Sequence, residues 1–302
     1  MTNKNKIVII GSSNTDMVIK ADRLPVPGET IIGNKFMMNP GGKGANQAVA
    51  AARMGGNVTF ISKTGNDLFG KQSIELYHTE GICTDYIFSD PDNPSGVALI
   101  SVDAHGENCI LVASGANGTL SPADIEKARS EIESAYLVLM QLEIPMNTVE
   151  YAAEIATRKG IKVILNPAPA QTLSSQLLQR LHIITPNKTE AEMLSGVKVT
   201  GWESAKTASK VISEKGADTV VLTLGSLGAL IQEKDRYYRV EAVPVEAVDT
   251  TAAGDTFCGA LSVGLSEGMN ITDAVKMACK AASISVTKMG AQSSIPYRVD
   301  IS

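Results

Sequence analysis

Cysteine is scarce in this chain of 302 residues. The four, Cys83, Cys109, Cys258 and Cys279, form no C-x-x-C pair, and His78, His105 and His182 lie far apart. A disulfide scaffold or a zinc ribbon is therefore not expected, and free thiols fit a reducing cytoplasm. Basic residues are outnumbered, 27 Lys plus Arg against 32 Asp plus Glu, which argues against a nucleic-acid partner. No apolar run reaches the roughly 18 residues of a membrane helix. Residues 1–6 (MTNKNK) run straight into a strand-like IVIIG without a signal-peptide core, so no membrane or secreted form is expected.

The common phosphate and hydrolase motifs are missing as well. Both Gly-Lys pairs are followed by the wrong residue for a P-loop, Gly44 and Gln72. There is no G-x-G-x-x-G, no G-x-S-x-G and no H-E-x-x-H. Any anion handling must lie elsewhere.

What is present is an alternation of strand and helix patterns. Buried-strand patterns at 7–10, 57–62, 136–140, 162–166, 182–185 and 219–225 alternate with helical stretches, and two helices at about 254–267 and 271–287 close the chain. This predicts an α/β fold with a central, mostly parallel sheet flanked by helices on both faces. Ser121-Pro122 marks a helix start. Four extended pieces at 16–20, 30–38, 96–102 and 108–113 do not fit the alternation. They are expected to form a small β-sheet lid on a single domain spanning 1–302. Val18, Ile31, Phe36, Leu99 and Ile110 are expected on an apolar lid face that pairs with a second copy.

Six polar segments carry candidate chemistry. In Asp249-Thr-Thr251-Ala252-Ala253-Gly254-Asp255, small residues lead into a helix. The open backbone N–H groups of Ala252, Ala253 and Gly254 could form an anion hole beside the Asp255 carboxylate. Asp255 is then either a base or an N-terminal cap of the helix. Asn39-Pro40-Gly41-Gly42-Lys43-Gly44-Ala45-Asn46-Gln47-Ala48 is either a ligand loop or a glycine turn with a solvated lysine. Ser12-Ser13-Asn14-Thr15-Asp16 and Gln141-Leu142-Glu143 follow strands, where open α/β sheets bind ligands. Asn187-Lys-Thr-Glu190 reads as a capping box or a site, and Thr223-Leu224-Gly225-Ser226-Leu227-Gly228 as a hairpin turn or a glycine loop.

GGKGANQAVAAARMG and DTTAAGDTFCGAL resemble the two signature segments of the PfkB carbohydrate kinases. GSSNTD (11–16), PGET (27–30), MQLE (140–143), NPAP (166–169), TPN (185–187), TLGS (223–226) and GAQ (290–292) resemble the ribose-phosphorylating members. The resemblance runs from residue 11 to about 296. It implies transfer of phosphoryl from ATP to the 5-hydroxyl of ribose. Asp255 would be the base and residues 252–254 the anion hole. Ribose would sit on Asn14, Thr15, Asp16, Gly42, Lys43, Gly44, Ala45, Asn46 and Glu143. The nucleotide would meet Asn187, Thr223–Gly228, Gly254, Asp255 and Cys279, with magnesium held through water near Glu190. A potassium site would fall at Asp249, Thr251, Ser285, Lys288, Gly290 and Ser294. The lid would join two subunits. Cys279, where the family suggests histidine or asparagine, and Met38-Asn39-Pro40 ahead of the glycines are departures from the pattern.

Overall fold

A computed structural model describes residues 5–301. The outer ends of the expected domain, and most of the leaderless start read from residues 1–6, lie outside the described residues. β1 (Lys6–Ile10), β2 (Asn14–Lys20) and β3 (Lys35–Gly41) open the chain, followed by α1 (Lys43–Arg53), β4 (Asn57–Gly65), α2 (Leu68–Thr79) and β5 (Cys83–Asp90). Next come β6 (Gly96–Val102), β7 (Asn108–Ala113), α3 (Pro122–Lys127), α4 (Arg129–Glu133), β8 (Leu137–Met140), α5 (Met146–Arg158) and β9 (Lys162–Leu165). After α6 (Ser175–Leu178), β10 (Ile183–Ile184), α7 (Lys188–Ser195), α8 (Trp202–Glu214) and β11 (Thr219–Thr223), the hairpin β12 (Ala229–Glu233) and β13 (Arg236–Val240) leads to α9 (Ala253–Ser266) and α10 (Ile271–Ser285).

The main sheet has the order β13-β12-β11-β10-β9-β8-β1-β4-β5. It is parallel from β11 to β5, and the β12–β13 hairpin adds an antiparallel edge. Both faces are covered, which is why β1 reads as an unbroken apolar run. Ile7 and Ile9 pack with residues of α1, α9 and α10, whereas Val8 and Ile10 pack with residues of α3 to α8. Ser121 caps α3 in a reciprocal box with Asp124, and Pro122 takes the first helical position.

β5 and the β12–β13 hairpin escaped the strand pattern. β5 is an edge strand with only Asp90 fully buried, so its sequence carries no continuous apolar run. β10 is shorter than HIIT suggests, because only Ile183 and Ile184 pair on both sides.

The lid is a second sheet of order β3-β2-β6-β7, with β2 and β6 parallel and the outer pairs antiparallel. The strand expected at 30–38 instead runs Lys35–Gly41. Residues ahead of it form a loop with a turn from Val26 to Glu29, held by an Arg23–Glu29 ion pair, and Asn34 N–H rejoins the sheet at Lys20 O. Pro40 sits in β3 at no cost to the ladder because β3 is an edge strand.

Register also corrects the lid face. Met17, Ile19, Phe36, Met38, Leu99 and Leu111 share one side, while Val18 and Ile110 face the opposite side and Ile31 precedes the strand. Side chains alternate along each strand, so adjacent apolar residues are sent to different faces.

Candidate active site

The parallel strands end on one edge of the sheet, and the expected polar segments gather there. Ser12 to Asn14 follow β1, Glu143 follows β8, Asn166 follows β9, Asn187 follows β10 and Thr223 closes β11. This is where open α/β sheets leave a crevice for ligands.

Asp255 lies in the first turn of α9 and is 5% exposed. It does not cap the helix. Its Oδ2 accepts from Asn46 Nδ2 at 3.0 Å and its Oδ1 from Gln47 Nε2 at 2.9 Å, both on α1. Gln47 is held in turn by Gln141 and Asn166. Burial pushes the Asp255 carboxyl up, while Lys43 and the two amides pull it down. A carboxylate fixed by two amides, with further lone pairs on both oxygens, can accept a hydroxyl proton.

The backbone ahead of α9 is open. Ala252 has a left-handed φ of 59°, unusual for a residue with a side chain, and the space beside Gly254 is clear. The N–H of Ala253 is spent on Thr250 O at 3.3 Å. Among the described residues Ala252 and Gly254 N–H have no protein acceptor, so the expected three-donor hole reduces to these two in this state.

α1 brings Lys43 into a ring of carboxylates. Asp255 first, then Glu143 and Glu190, raise its ammonium against the cost of burial. Gly42 precedes it with φ of 89°, packed so closely on Ser13 and Asn14 that a Cβ would collide with their backbone. Glu143 Oε2 accepts from Ser12 Oγ at 2.6 Å and from Lys43 N–H at 3.0 Å, which fixes the start of α1. Gly44 and Ala45 also donate their N–H groups to Ser12, so neither amide is free for a sugar.

Asn14 and Asp16 share one face of β2, and Thr15 alternates to the other, away from the cleft. Asp16 lines a cleft of about 620 Å³ between the lid and residues 248–251 and 289–293. Burial, then Glu143 and Asp255, push its carboxyl up to about 6. Asn46 Oδ1 is buried with no partner, a polar atom that a ligand hydroxyl would satisfy.

A second cleft of about 550 Å³ lies across Gly254. Thr223, Gly225, Ser226 and Gly228 form one wall, with Cys279 and Val243 in others. Leu224 is instead fully buried in the core, and Leu227 is exposed and does not line the cleft. Residues 223–228 form a hairpin turn and a cleft wall at once. Burial pushes the Cys279 thiol up to about 12, so it is an uncharged wall residue.

Asn187 caps α7. Its Oδ1 accepts Glu190 N–H at 2.9 Å, and the Glu190 carboxylate accepts Asn187 N–H and Nδ2, each at 2.8 Å. The capping box is therefore real, yet burial pushes this Glu190 carboxyl up to about 7, opposed by the Asn187 N–H and by Lys43. A nearby cation would restore its charge.

Asp249 ties two loops together. Its Oδ1 accepts Thr251 N–H at 2.9 Å and Thr251 Oγ1 at 2.6 Å, and its Oδ2 accepts Gly290 N–H at 2.9 Å. Burial alone would raise this carboxyl, but these donors outweigh it and hold it low. Ser285 and Ser294 spend their hydroxyls on Ala282 O and Ala291 O, and Lys288 N–H donates to Ser285 O.

The chain matches the profile "pfkB family carbohydrate kinase" over residues 4–298. It belongs to the PfkB family of carbohydrate kinases. Ribokinase of Haemophilus influenzae is 46% identical over 295 residues, covering 98% of this chain and 96% of the relative. Deoxyribokinase of Salmonella typhi, another relative, is 38% identical over 291 residues, covering 96% of this chain and 95% of its own length. The ribokinase of Arabidopsis thaliana, solved with ribose and ATP, superimposes with a TM-score of 0.92 at 31% identity, covering 99% of this chain and 97% of its own. The nine-stranded sheet and its lid are thus a PfkB-family fold.

Ser12, Gln47 and Asn166 lie in segments the sequence singled out but had been given no role there; the structure places Ser12 on Glu143, Gln47 on Asp255 and Asn166 on Gln47. Gln47 carried one signal, a polar residue inside an alanine-rich helix.

Proposed function

We propose that this chain is a ribokinase that transfers the γ-phosphoryl group of ATP to the 5-hydroxyl of ribose. The observation that carries this is the position of Asp255. It lies beside Gly254, which lines one cleft, and its charge acts on Asp16, which lines the other. The nucleotide occupies the cleft walled by Thr223, Ser226 and Cys279. The sugar enters by the cleft under the lid that Asp16 lines, with Asn14, Asn46 and Lys43 as its further partners toward Asp255.

Asp255 accepts the proton of the 5-hydroxyl as the oxygen forms its bond to the γ-phosphorus. The bond to the bridging oxygen breaks, giving ribose 5-phosphate and ADP. Phosphoryl transfer leaves the protein mainly positioning and charge stabilisation. The Ala252 and Gly254 amides and Lys43 supply positive potential where charge gathers. Asp16 and Glu143 hold neutral hydroxyls and repel an added phosphate, which favours product release.

Magnesium supplies charge neutralisation on the nucleotide phosphates, and Glu190, with its raised carboxyl, fits a position near it through water. A potassium ion would be held near the loops joined by Asp249, whose carboxylate accepts from Thr251 and Gly290 and would supply negative charge to a hard cation. The lid's outer face, with Phe36 58% and Leu111 69% exposed, supports a dimer with a second copy of this chain. The four cysteines are all free, which suits the cytoplasm.

A coupled assay of ADP release across ribose, deoxyribose, fructose and adenosine tests the assignment. Ribose is expected to give the highest kcat/KM. Preference for deoxyribose would move the chain to the deoxyribokinases, and preference for adenosine would overturn the sugar reading.

A further inference from the structure

Asn117 lies in the turn after β7, 2% exposed, and takes no part in the chemistry above. Its Oδ1 accepts the N–H of Ser13 at 2.8 Å. Its Nδ2 donates to Ser13 O at 3.0 Å and to Asn14 Oδ1 at 2.7 Å. The backbone N–H and C=O of Ser13 settle which end of Asn117 is oxygen and which is nitrogen. The usual ambiguity of an amide is removed by partners whose roles cannot be exchanged. Because the Asn117 nitrogen faces Asn14, the Asn14 atom it meets must be the acceptor. Gly96 packs against both atoms, and a Cβ there would collide with each, so the two amides are held in contact and the Asn117 nitrogen sets which end of Asn14 faces it.

We propose that Asn117 is a positioning residue that fixes the Asn14 amide with its Nδ2 toward the sugar. Among the described residues that nitrogen has no protein acceptor. It stands two residues from Asp16 on the same face of β2. A donor and a carboxylate acceptor so placed suit a hydroxyl, which accepts and donates at once. A site built this way rejects a group that cannot do both. Asn117 comes from the turn at the base of the lid, so seating of the β7 end and sugar recognition are joined through one side chain.

This inference rests on the sugar-kinase reading, and Asn117→Asp tests it. Aspartate keeps the acceptor for Ser13 N–H but replaces the donor with an oxygen. That oxygen repels Asn14 Oδ1 and favours the turned amide, presenting an acceptor to the sugar. The assay is ribose-dependent ADP release by Asn117→Asp, Asn14→Ala, the double variant and the parent, with melting recorded for each. A ribose KM raised by about tenfold, with the KM for ATP changed less than about twofold, is expected, since the loss is of one hydrogen-bonding direction.

In the Asn14→Ala background, Asn117→Asp is then expected to change the ribose KM by less than about twofold, because residues acting through one another are not additive. The same fold-change in both backgrounds, or an equal change in the ATP KM, overturns the proposal and leaves Asn117 a structural residue. If Asn117→Asp does not melt cooperatively, Asn117→Ala, which withdraws the donor without adding charge, runs the same cycle with the same criteria. An inactive parent sinks the kinase reading and this inference together. An additive cycle in an active enzyme sinks only the inference.

Discussion

Gln47 Nε2 donates to Asp255 Oδ1 at 2.9 Å, joining the two signature segments across 208 residues of sequence. The Asp255 carboxylate is thus aimed by the helix that begins at Lys43. Asp255→Asn is expected to lower kcat by roughly 10²- to 10⁴-fold, the range of a lost general base. Gln47→Glu should place a like charge against Asp255, raise its carboxyl further and move the acidic limb of the kcat/KM profile to higher pH. Steady-state rates from pH 5 to 9 check both. An unshifted limb would mean that Gln47 does not tune the base.

Asp16 gives a stability test independent of turnover. Its carboxyl is raised to about 6 in the folded chain, against 3.8 for the ordinary group. The folded state therefore binds the proton more tightly than the unfolded state between these values. This group's contribution to stability falls as pH rises through that window. Asp16→Asn removes the penalty, so its Tm without ligands should exceed the parent's at pH 7.5, with the gap narrowing toward pH 4. The same variant should raise the ribose KM. A gap that widens on acidification would reverse the sign argued here.

Potassium is expected to speed turnover by roughly tenfold or more. Its loops carry the Ala252–Gly254 backbone, and one misdirected oxyanion donor costs about 10²- to 10³-fold. Sodium should substitute poorly, because a carbonyl cage of fixed size fits a smaller ion badly. Asp249→Ala should abolish the response. Titration of potassium at constant magnesium decides the matter, and equal rates with and without it would remove the cation from the mechanism.

Phe36 and Leu99 lie on the same outer face of the lid, at 58% and 52% exposure. Phe36→Asp is expected to convert a dimer to a monomer, read by light scattering at micromolar concentration. Val18→Asp, on the cleft side, should leave the mass unchanged while weakening ribose binding. A parent that is already monomeric would exclude the lid interface.

Much of this molecule was legible in its residues. The apolar runs at β1, β8 and β11 announced a sheet buried on both faces. Strand ends followed by Asn14, Glu143 and Asn187 placed the crevice, because parallel strands deliver their ends to one edge. Asp255 beside small residues was legible as chemistry or as a cap.

Only the tertiary structure set the cap aside, by turning the carboxylate away from its own helix and onto Asn46 and Gln47. It also decided that Pro40 stands in an edge strand, that Val18 and Phe36 face opposite ways, and that Asn117 meets Asn14. Periodicity reports a residue's face within its own element. Which group waits across that face depends on contacts between segments a hundred or more residues apart, and those exist only once the sheet has brought them together.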